Sequence, residues 1–158
     1  MRFVFVDRIV ELVPARRIET LMRVSGLEDV FADHFPGYPV LPGALVVEAF
    51  AQAAQLLIAA SRDFAEVGRL RRLARATFRH PVRPGDWLAI GCERAAGRDD
   101  AWVLEATATV GPHRVAAATL EYTLEAAQPG TDAGRHAERL GALARRLQGA
   151  PVEIAANE

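Results

Sequence analysis

The sequence contains little of what several common kinds of site require. It has one cysteine, Cys92, which excludes an internal disulfide and a cysteine-rich zinc site. Its four histidines are scattered along the chain, so they form no local metal-binding motif. Lysine is absent and all 19 basic residues are arginines, yet the net charge of -1 argues against general nucleic-acid binding. The sequence therefore predicts neither a metal centre nor a nucleic-acid-binding protein.

Long hydrophobic runs are also scarce. The N-terminal residues reach an acid, Asp7, after only four apolar side chains, so a signal peptide is not expected and a cytoplasmic location is the default. Residues 44–60 alone approach the length of a membrane span, but Glu48, Gln52 and Gln55 interrupt them. The 158 residues, 51% of them hydrophobic, are typical of one soluble domain, and a membrane span is the disfavoured alternative.

The pattern of apolar residues predicts an α+β fold. Residues 44–60 contain no glycine or proline and are apolar nearly all round, which predicts a buried helix. Strict alternation predicts strands at 101–110 and 113–125, and shorter strands are predicted at 9–13, 18–25 and 87–94. Residues 27–43 are predicted to form a structured loop, and residues 61–68 a polar connector. The natural packing is an antiparallel sheet wrapped around the one long helix.

The C-terminal residues differ from the rest of the chain. We place a main domain at residues 1–126, followed at 127–158 by a linker and an amphipathic helix. Leucines and an alanine recur at helical spacing between residues 137 and 147, so the helix is predicted there. The sequence leaves open whether this helix docks on its own domain or on a partner.

The stretch DHFPGYPVLPGALVVEAFAQ, residues 33–52, holds the residues best suited to chemistry. A buried carboxylate at Glu48 would favour its protonated form, which a general acid needs, and Gln52 lies one turn further on the same helix face. His34, in the preceding loop, can accept a proton near neutral pH. The N–H groups at the start of the helix, near Gly43, could polarise a carbonyl. Taken singly, His34 could instead stabilise the loop, and Glu48 could be a structural hydrogen-bonding residue.

This stretch resembles the active-site segment of the 3-hydroxyacyl-acyl-carrier-protein dehydratases, the FabZ/FabA group with the hot-dog fold. The shared features are HFPG, the PV-PG that follows, and E-A-x-A-Q on the helix. VDRI at residues 6–9 and F-R-x-P-V-x-P-G-D at 78–86 also match, and the matches cover roughly residues 5 to 125 in the same order. The arginine-rich segment before Phe78 and the C-terminal thirty or so residues depart from the family pattern.

The resemblance implies a definite reaction and site. His34 would take the C2 proton of a (3R)-3-hydroxyacyl thioester, and Glu48 of the other subunit would protonate the departing C3 hydroxyl. The Gly43 N–H would bind the thioester carbonyl, and Gln52 would orient Glu48. The resemblance further implies a homodimer with shared active sites, compatible with a trimer of dimers, an acyl carrier protein as partner, and no metal or organic cofactor.

Two sets of residues have both a functional and a plain interpretation. Phe35 and Phe78 are candidates to contact the acyl chain, although core packing is the ordinary role of such side chains. An arginine run could be the docking patch for an acidic carrier protein, or simply a solvated face; it comprises Arg69, Arg71, Arg72, Arg75 and Arg79. A hot-dog thioesterase and a non-catalytic hot-dog subunit are the alternative functions.

Overall fold

The computed structural model describes residues 4–26, 30–33 and 35–148. Within them are six strands and three helices. The strands are β1 (Arg8–Val13), β2 (Arg17–Arg23), β3 (Glu66–Phe78), β4 (Trp87–Arg98), β5 (Ala101–Val110) and β6 (His113–Ala126). The helices are α1 (Val30–Asp33), α2 (Gly43–Ser61) and α3 (Asp132–Gln148). The α+β class predicted from the sequence is confirmed.

The six strands form one antiparallel sheet in the order β1-β2-β4-β5-β6-β3. Strand β5 has the bounds that its alternating pattern predicted, and β6 is one residue longer. The predicted inward faces of both strands are buried; they include Trp102, Leu104, Ala106, Ala108, Ala116, Ala118, Leu120 and Tyr122. The period-2 pattern therefore identified both the strands and the face that packs on the core.

Helix α2 is the centre of the core. It extends one residue beyond the prediction at each end, and nine of its residues are buried against the sheet. By length and composition the helix could cross a membrane, and it is the only such helix in the described part of the chain. Because half of that apolar window is buried inside the domain, α2 is better explained as a core helix.

Strand β3 is the largest departure from the sequence prediction. We expected a polar connector at residues 61–68, but β3 begins at Glu66 and continues for 13 residues along the sheet edge. Irregular pairing with β6 occurs twice, between Leu70 and Arg72 and between Leu73 and Arg75. Each bulge shifts the side chains by one position, so the alternation that reveals a strand is lost in the sequence.

Helix α3 docks on its own domain, which answers a question the sequence left open. Ala137, Leu140, Ala144 and Leu147 are each at most 6% exposed. The helix begins at Asp132, five residues before the predicted start, and the Thr131 Oγ1 accepts a hydrogen bond from the Gly134 N–H at 3.0 Å. The glycine made this turn look like linker in the sequence.

Candidate active site

The first turn of α2 presents unpaired donors. Pro42 is the N-cap residue, and no side chain caps the helix. The N–H groups of Leu45 and Val46 donate to the Pro42 carbonyl at 2.9 and 3.3 Å. The N–H groups of Gly43 and Ala44 precede them and have no acceptor within the helix. Together with the helix dipole, these groups can stabilise negative charge on a carbonyl oxygen.

Gly43 and Phe78 lie against each other. A Cβ atom on Gly43 would be only 2.9 Å from two ring atoms of Phe78, so a larger residue could not take this position without a shift. Both residues line a cavity of about 320 Å³, together with Leu41, Val46 and Val82. The structure thus brings together two of the residues that the sequence assigned to substrate binding.

Glu48 and Gln52 are joined in a short chain of hydrogen bonds. The Gln52 Nε2 donates to the Glu48 Oε1 at 3.0 Å, and the Gln52 Oε1 accepts from the Phe5 backbone N–H at 2.8 Å. The second bond fixes which end of the amide points towards the carboxylate. Gln52 is therefore placed where it can orient Glu48, and Phe5 is a part of the arrangement that sequence reasoning missed.

The expected burial of Glu48 is wrong for the single chain. Its side chain is exposed, as is Ala44 one turn earlier, whereas Ala49 and Phe50 on the sheet side are completely buried. The apolar residues around Glu48 in sequence belong mostly to the other face of the helix. The sequence alone could not show which face of the helix is exposed, because the residues between Glu48, Gln52 and Gln55 are apolar on both faces.

Two of the predicted residues precede α2 in the sequence. His34 lies outside the described residues. Phe35 is 57% exposed and is not among the residues lining the cavity at Gly43.

The second matching segment, at residues 78–86, holds the end of that loop. The Leu41 N–H donates to the Val82 carbonyl at 2.7 Å. The Arg83 guanidinium lies 4.7 Å from the centre of the Tyr38 ring and donates a hydrogen bond to its hydroxyl. These contacts give a physical reason for the two segments to occur together, because one carries the loop and the other supports it.

The arginine run divides between paired and unpaired positions. Arg69 bonds to Glu125 at 3.1 Å and Arg72 to Glu121 at 3.5 Å, both across the strand pair β3–β6 on the exposed face. Arg71 and Arg75 are exposed and form no ion pair with any residue in the described ranges. Arg79 is exposed and lines the cavity at Gly43.

Within the part of the chain that the structure describes, the other reactive side chains do not form a competing site. Cys92 is fully buried, and burial raises the pKa of its thiol to about 12, so it is not a nucleophile at neutral pH. His80 and His113 lie with ring centres 5.8 Å apart. Among residues 4–26, 30–33 and 35–148, no three histidine, cysteine or acidic side chains are grouped to hold a metal ion.

Glu48 itself lines a second, larger cavity. It measures about 770 Å³ and is lined by Val4, Glu48 and Gln52 from the main domain and by one side of helix α3. Sequence analysis predicted the helix but not its place beside Glu48. The sequence signal that could have predicted this position is a second stripe of residues at helical spacing, at positions 136, 139, 143 and 146. This stripe lies next to the stripe of α3 that packs on the domain.

A family model described as the FabA-like domain matches residues 1–119. The 3-hydroxyacyl-acyl-carrier-protein dehydratase FabZ of Symbiobacterium thermophilum is 40% identical over 129 residues, which are 80% of this chain and 91% of that enzyme. The FabZ dehydratase of Levilactobacillus brevis is also 40% identical, over 78% of this chain and 84% of that enzyme.

Solved structures share the architecture at much lower identity. Protein smu.793 of Streptococcus mutans, solved with acetyl CoA, has a TM-score of 0.65 at 15% identity, covering 80% of this chain and 94% of that one. A chain of the dehydratase heterocomplex ApeI:P of Xenorhabdus doucetiae has a TM-score of 0.59 at 17% identity, covering 73% and 96%. At these identities the comparison shows the fold alone.

A six-stranded antiparallel sheet around one central helix, with an acid and an open helix N-terminus on that helix, defines a hot-dog protein with a FabA-like domain. More particularly, the chain belongs to the FabZ-type 3-hydroxyacyl-acyl-carrier-protein dehydratases, a family of hydro-lyases.

Proposed function

We propose that this protein removes water from (3R)-3-hydroxyacyl thioesters on acyl carrier protein and forms trans-2-enoyl thioesters. The observation that carries the proposal is the arrangement on α2, where Gln52 holds the Glu48 carboxylate and the helix opens on free N–H groups at Gly43. Elimination beside a thioester carbonyl needs a proton donor and a site for negative charge. The names of the most similar relatives support the same reaction.

The proposed reaction balances without a further reagent. His34 takes a proton from C2, and the electron pair moves towards the carbonyl oxygen, where the Gly43 N–H stabilises it. The C2–C3 double bond then forms as the C3–O bond breaks, and Glu48 gives its proton to the departing hydroxyl. One water leaves and the thioester stays intact. Because His34, Glu48 and the Gly43 N–H supply the proton acceptor, the proton donor and the site for negative charge, we propose that no metal or organic cofactor takes part.

The uncovered edge of the sheet supports a homodimer. Strand β3 pairs with β6 on one side only within the described part of the chain. Leu70, Leu73 and Phe78 pair with β6 residues that face the core, so they point to the same side as α2, yet they are 41%, 42% and 52% exposed. A long edge strand with apolar side chains is a surface that a second chain can cover.

The same partner would complete the site. Glu48 is exposed in the single chain, so its carboxylate is accessible to a second subunit. In the proposed dimer, Glu48 of one subunit faces the His34 loop of the other. Assembly of three such dimers stays a prediction.

The proposed carrier-docking surface is the unpaired part of the arginine run. Arg79 lines the cavity at Gly43, and Arg71 and Arg75 are available to an acidic partner, whereas Arg69 and Arg72 already have carboxylate partners. We place the reaction in the cytoplasm, in fatty-acid biosynthesis or in a related polyketide or polyene pathway.

Mass spectrometry of a defined 3-hydroxyacyl carrier protein tests the reaction. We expect the loss of one water from the acyl group, with the thioester intact. Release of free carrier thiol would instead identify a thioesterase. If the purified protein causes neither change with any acyl length, but a copurifying homologue does, the chain is a non-catalytic subunit.

Mixing two inactive variants tests the shared site. His34→Ala and Glu48→Gln are each expected to be nearly inactive alone. After the mixed subunits are unfolded and refolded together, half of the dimers carry one of each and one intact site. Activity should therefore return to about a quarter of the wild-type value, by the symmetry of the dimer. No recovery, with mixed dimers shown by native mass spectrometry, would contradict a site shared between subunits.

A further inference from the structure

Helix α3 lies outside the family domain but beside its proposed acid. The FabA-like match ends at residue 119, and α3 begins at Asp132. One side of α3 nevertheless lines the cavity of about 770 Å³ that also contains Glu48 and Gln52. The helix is therefore an addition to the domain that reaches the neighbourhood of the chemistry.

Two adjacent stripes on α3 have different roles. The first is buried against the domain and contains Ala137, Leu140, Ala144 and Leu147. The second faces the cavity and includes Arg139, Ala142, Leu143 and Arg146. Because the first stripe anchors the helix, the second is held in a fixed position opposite Glu48.

The wall that α3 provides is mainly hydrocarbon. Leu140, Ala142 and Leu143 face Val4 across the cavity. Arg139 and Arg146 are exposed, so their stems can extend the apolar surface while their charged groups reach water. His136 also lines the cavity, and burial, followed by the charge of Arg139, lowers the pKa of its imidazole, which favours the neutral ring.

We propose that α3 forms one wall of the chamber for the substrate's acyl chain, and that Ala142 and Leu143 limit the chain length accepted. The inference rests on the proposed function for the identity of the substrate. An apolar chamber that begins at the acid acting on C3 is suited to the carbons beyond C3. The wall belongs to this chain's own C-terminal helix, so its length preference is set outside the family domain.

Binding of unreactive substrates tests the chamber without requiring catalysis. The probes are saturated S-acyl-pantetheine thioesters of four to ten carbons, which have no hydroxyl to lose, and calorimetry measures their dissociation constants. In the wild-type protein, affinity should rise roughly four-fold for each methylene that enters the chamber. Ala142→Trp fills the chamber from an exposed position and removes no packed side chain.

We expect Ala142→Trp to weaken binding of the ten-carbon probe by roughly ten-fold or more and to leave the four-carbon probe unchanged. Leu143→Trp should act in the same direction, so the result does not depend on one variant's folding. Glu138→Trp is the matched control, because Glu138 is exposed on α3 and does not line this cavity. It should leave all the dissociation constants unchanged.

Three outcomes would overturn the inference. They are equal length profiles in wild type and both cavity variants, no binding of any probe, and tighter binding of a ten-carbon chain that ends in a carboxylate. The last would mean that Arg139 and Arg146 recognise an anion. Dehydration of 3-hydroxybutyryl carrier protein, measured in parallel, tests the proposed function separately. If no dehydration occurs but the dissociation constants depend on chain length as expected, only the proposed reaction is contradicted.

Discussion

The two faces of helix α2 are built on different principles. The face towards the sheet carries large side chains with no exposure at all, among them Phe50, Leu57 and Ile58. The opposite face carries the small Ala44 and the polar Glu48, both exposed in the single chain. The first face is explained by stability within one chain. Packing within one chain does not explain the residues of the second face.

This difference shows how a proposed catalytic group, Glu48, can lie on the most buried element of a domain. The packed face fixes the position of the helix backbone, because a close-packed interior has low compressibility and leaves the helix little room to shift. The open face then presents Glu48 on a rigid support, with Gln52 limiting its remaining freedom. Changes on the packed face should therefore alter stability, and changes on the open face should alter turnover.

The largest expected effect is on the open face. Glu48→Gln keeps the shape of the side chain and removes the proton that the departing hydroxyl needs. We expect dehydration to slow by roughly 10²–10⁴-fold, with the free energy of unfolding within about 0.5 kcal/mol of wild type because the side chain is exposed. Steady-state turnover and thermal unfolding of the same preparation measure both.

Glu19→Gln provides the matched control, since Glu19 is an exposed carboxylate on β2. It should leave turnover unchanged. Near-wild-type activity in Glu48→Gln would show that Glu48 is not the proton donor and would contradict the proposed mechanism.

The packed face should give the reverse result. Leu57→Ala removes a fully buried side chain and leaves a cavity, which costs about 2–5 kcal/mol of unfolding free energy. Turnover per folded molecule should stay near wild type, as measured at a temperature where the variant remains folded. Val10→Ala, at a position 52% exposed on β1, is the control and should change stability by about 0.5 kcal/mol at most. A large loss of turnover in folded Leu57→Ala would show that the packed face of α2 also affects turnover and not stability alone.

The contrast between the faces also marks how far sequence reasoning reached. In strand β5 one face is buried and the other solvated, with Trp102 inside and Glu105 outside. The alternation of apolar and polar residues therefore predicted both the strand and its buried face. Alternation did not predict strand β3, because two bulges interrupt it. In addition, the apolar side chains of Leu70 and Leu73 stay exposed in the single chain.

The sequence predicted part of the geometry of the candidate site. The spacing of Glu48 and Gln52 correctly placed them on one helix face, but the contact between Gly43 and Phe78 was not predicted. The bond from the Phe5 N–H to Gln52 joins groups 47 residues apart, so no local pattern could reveal it. The position of α3 beside Glu48 depends on tertiary packing in the same way.

Gln52 bonds both to Glu48 and to the Phe5 backbone, so its variant should show a smaller effect on each of turnover and stability. Gln52→Leu removes the bond to Glu48 and leaves the Phe5 N–H without this acceptor, so we expect kcat to fall roughly ten-fold and unfolding free energy to fall by about 1–2 kcal/mol. KM should change little, because Gln52 acts through Glu48. Gln55→Leu is the matched variant: its amide donates to the Gly68 carbonyl at 2.6 Å, so it should lose similar stability with kcat unchanged. Equal losses of kcat in the two variants would mean that Gln52 supports the fold and not the acid.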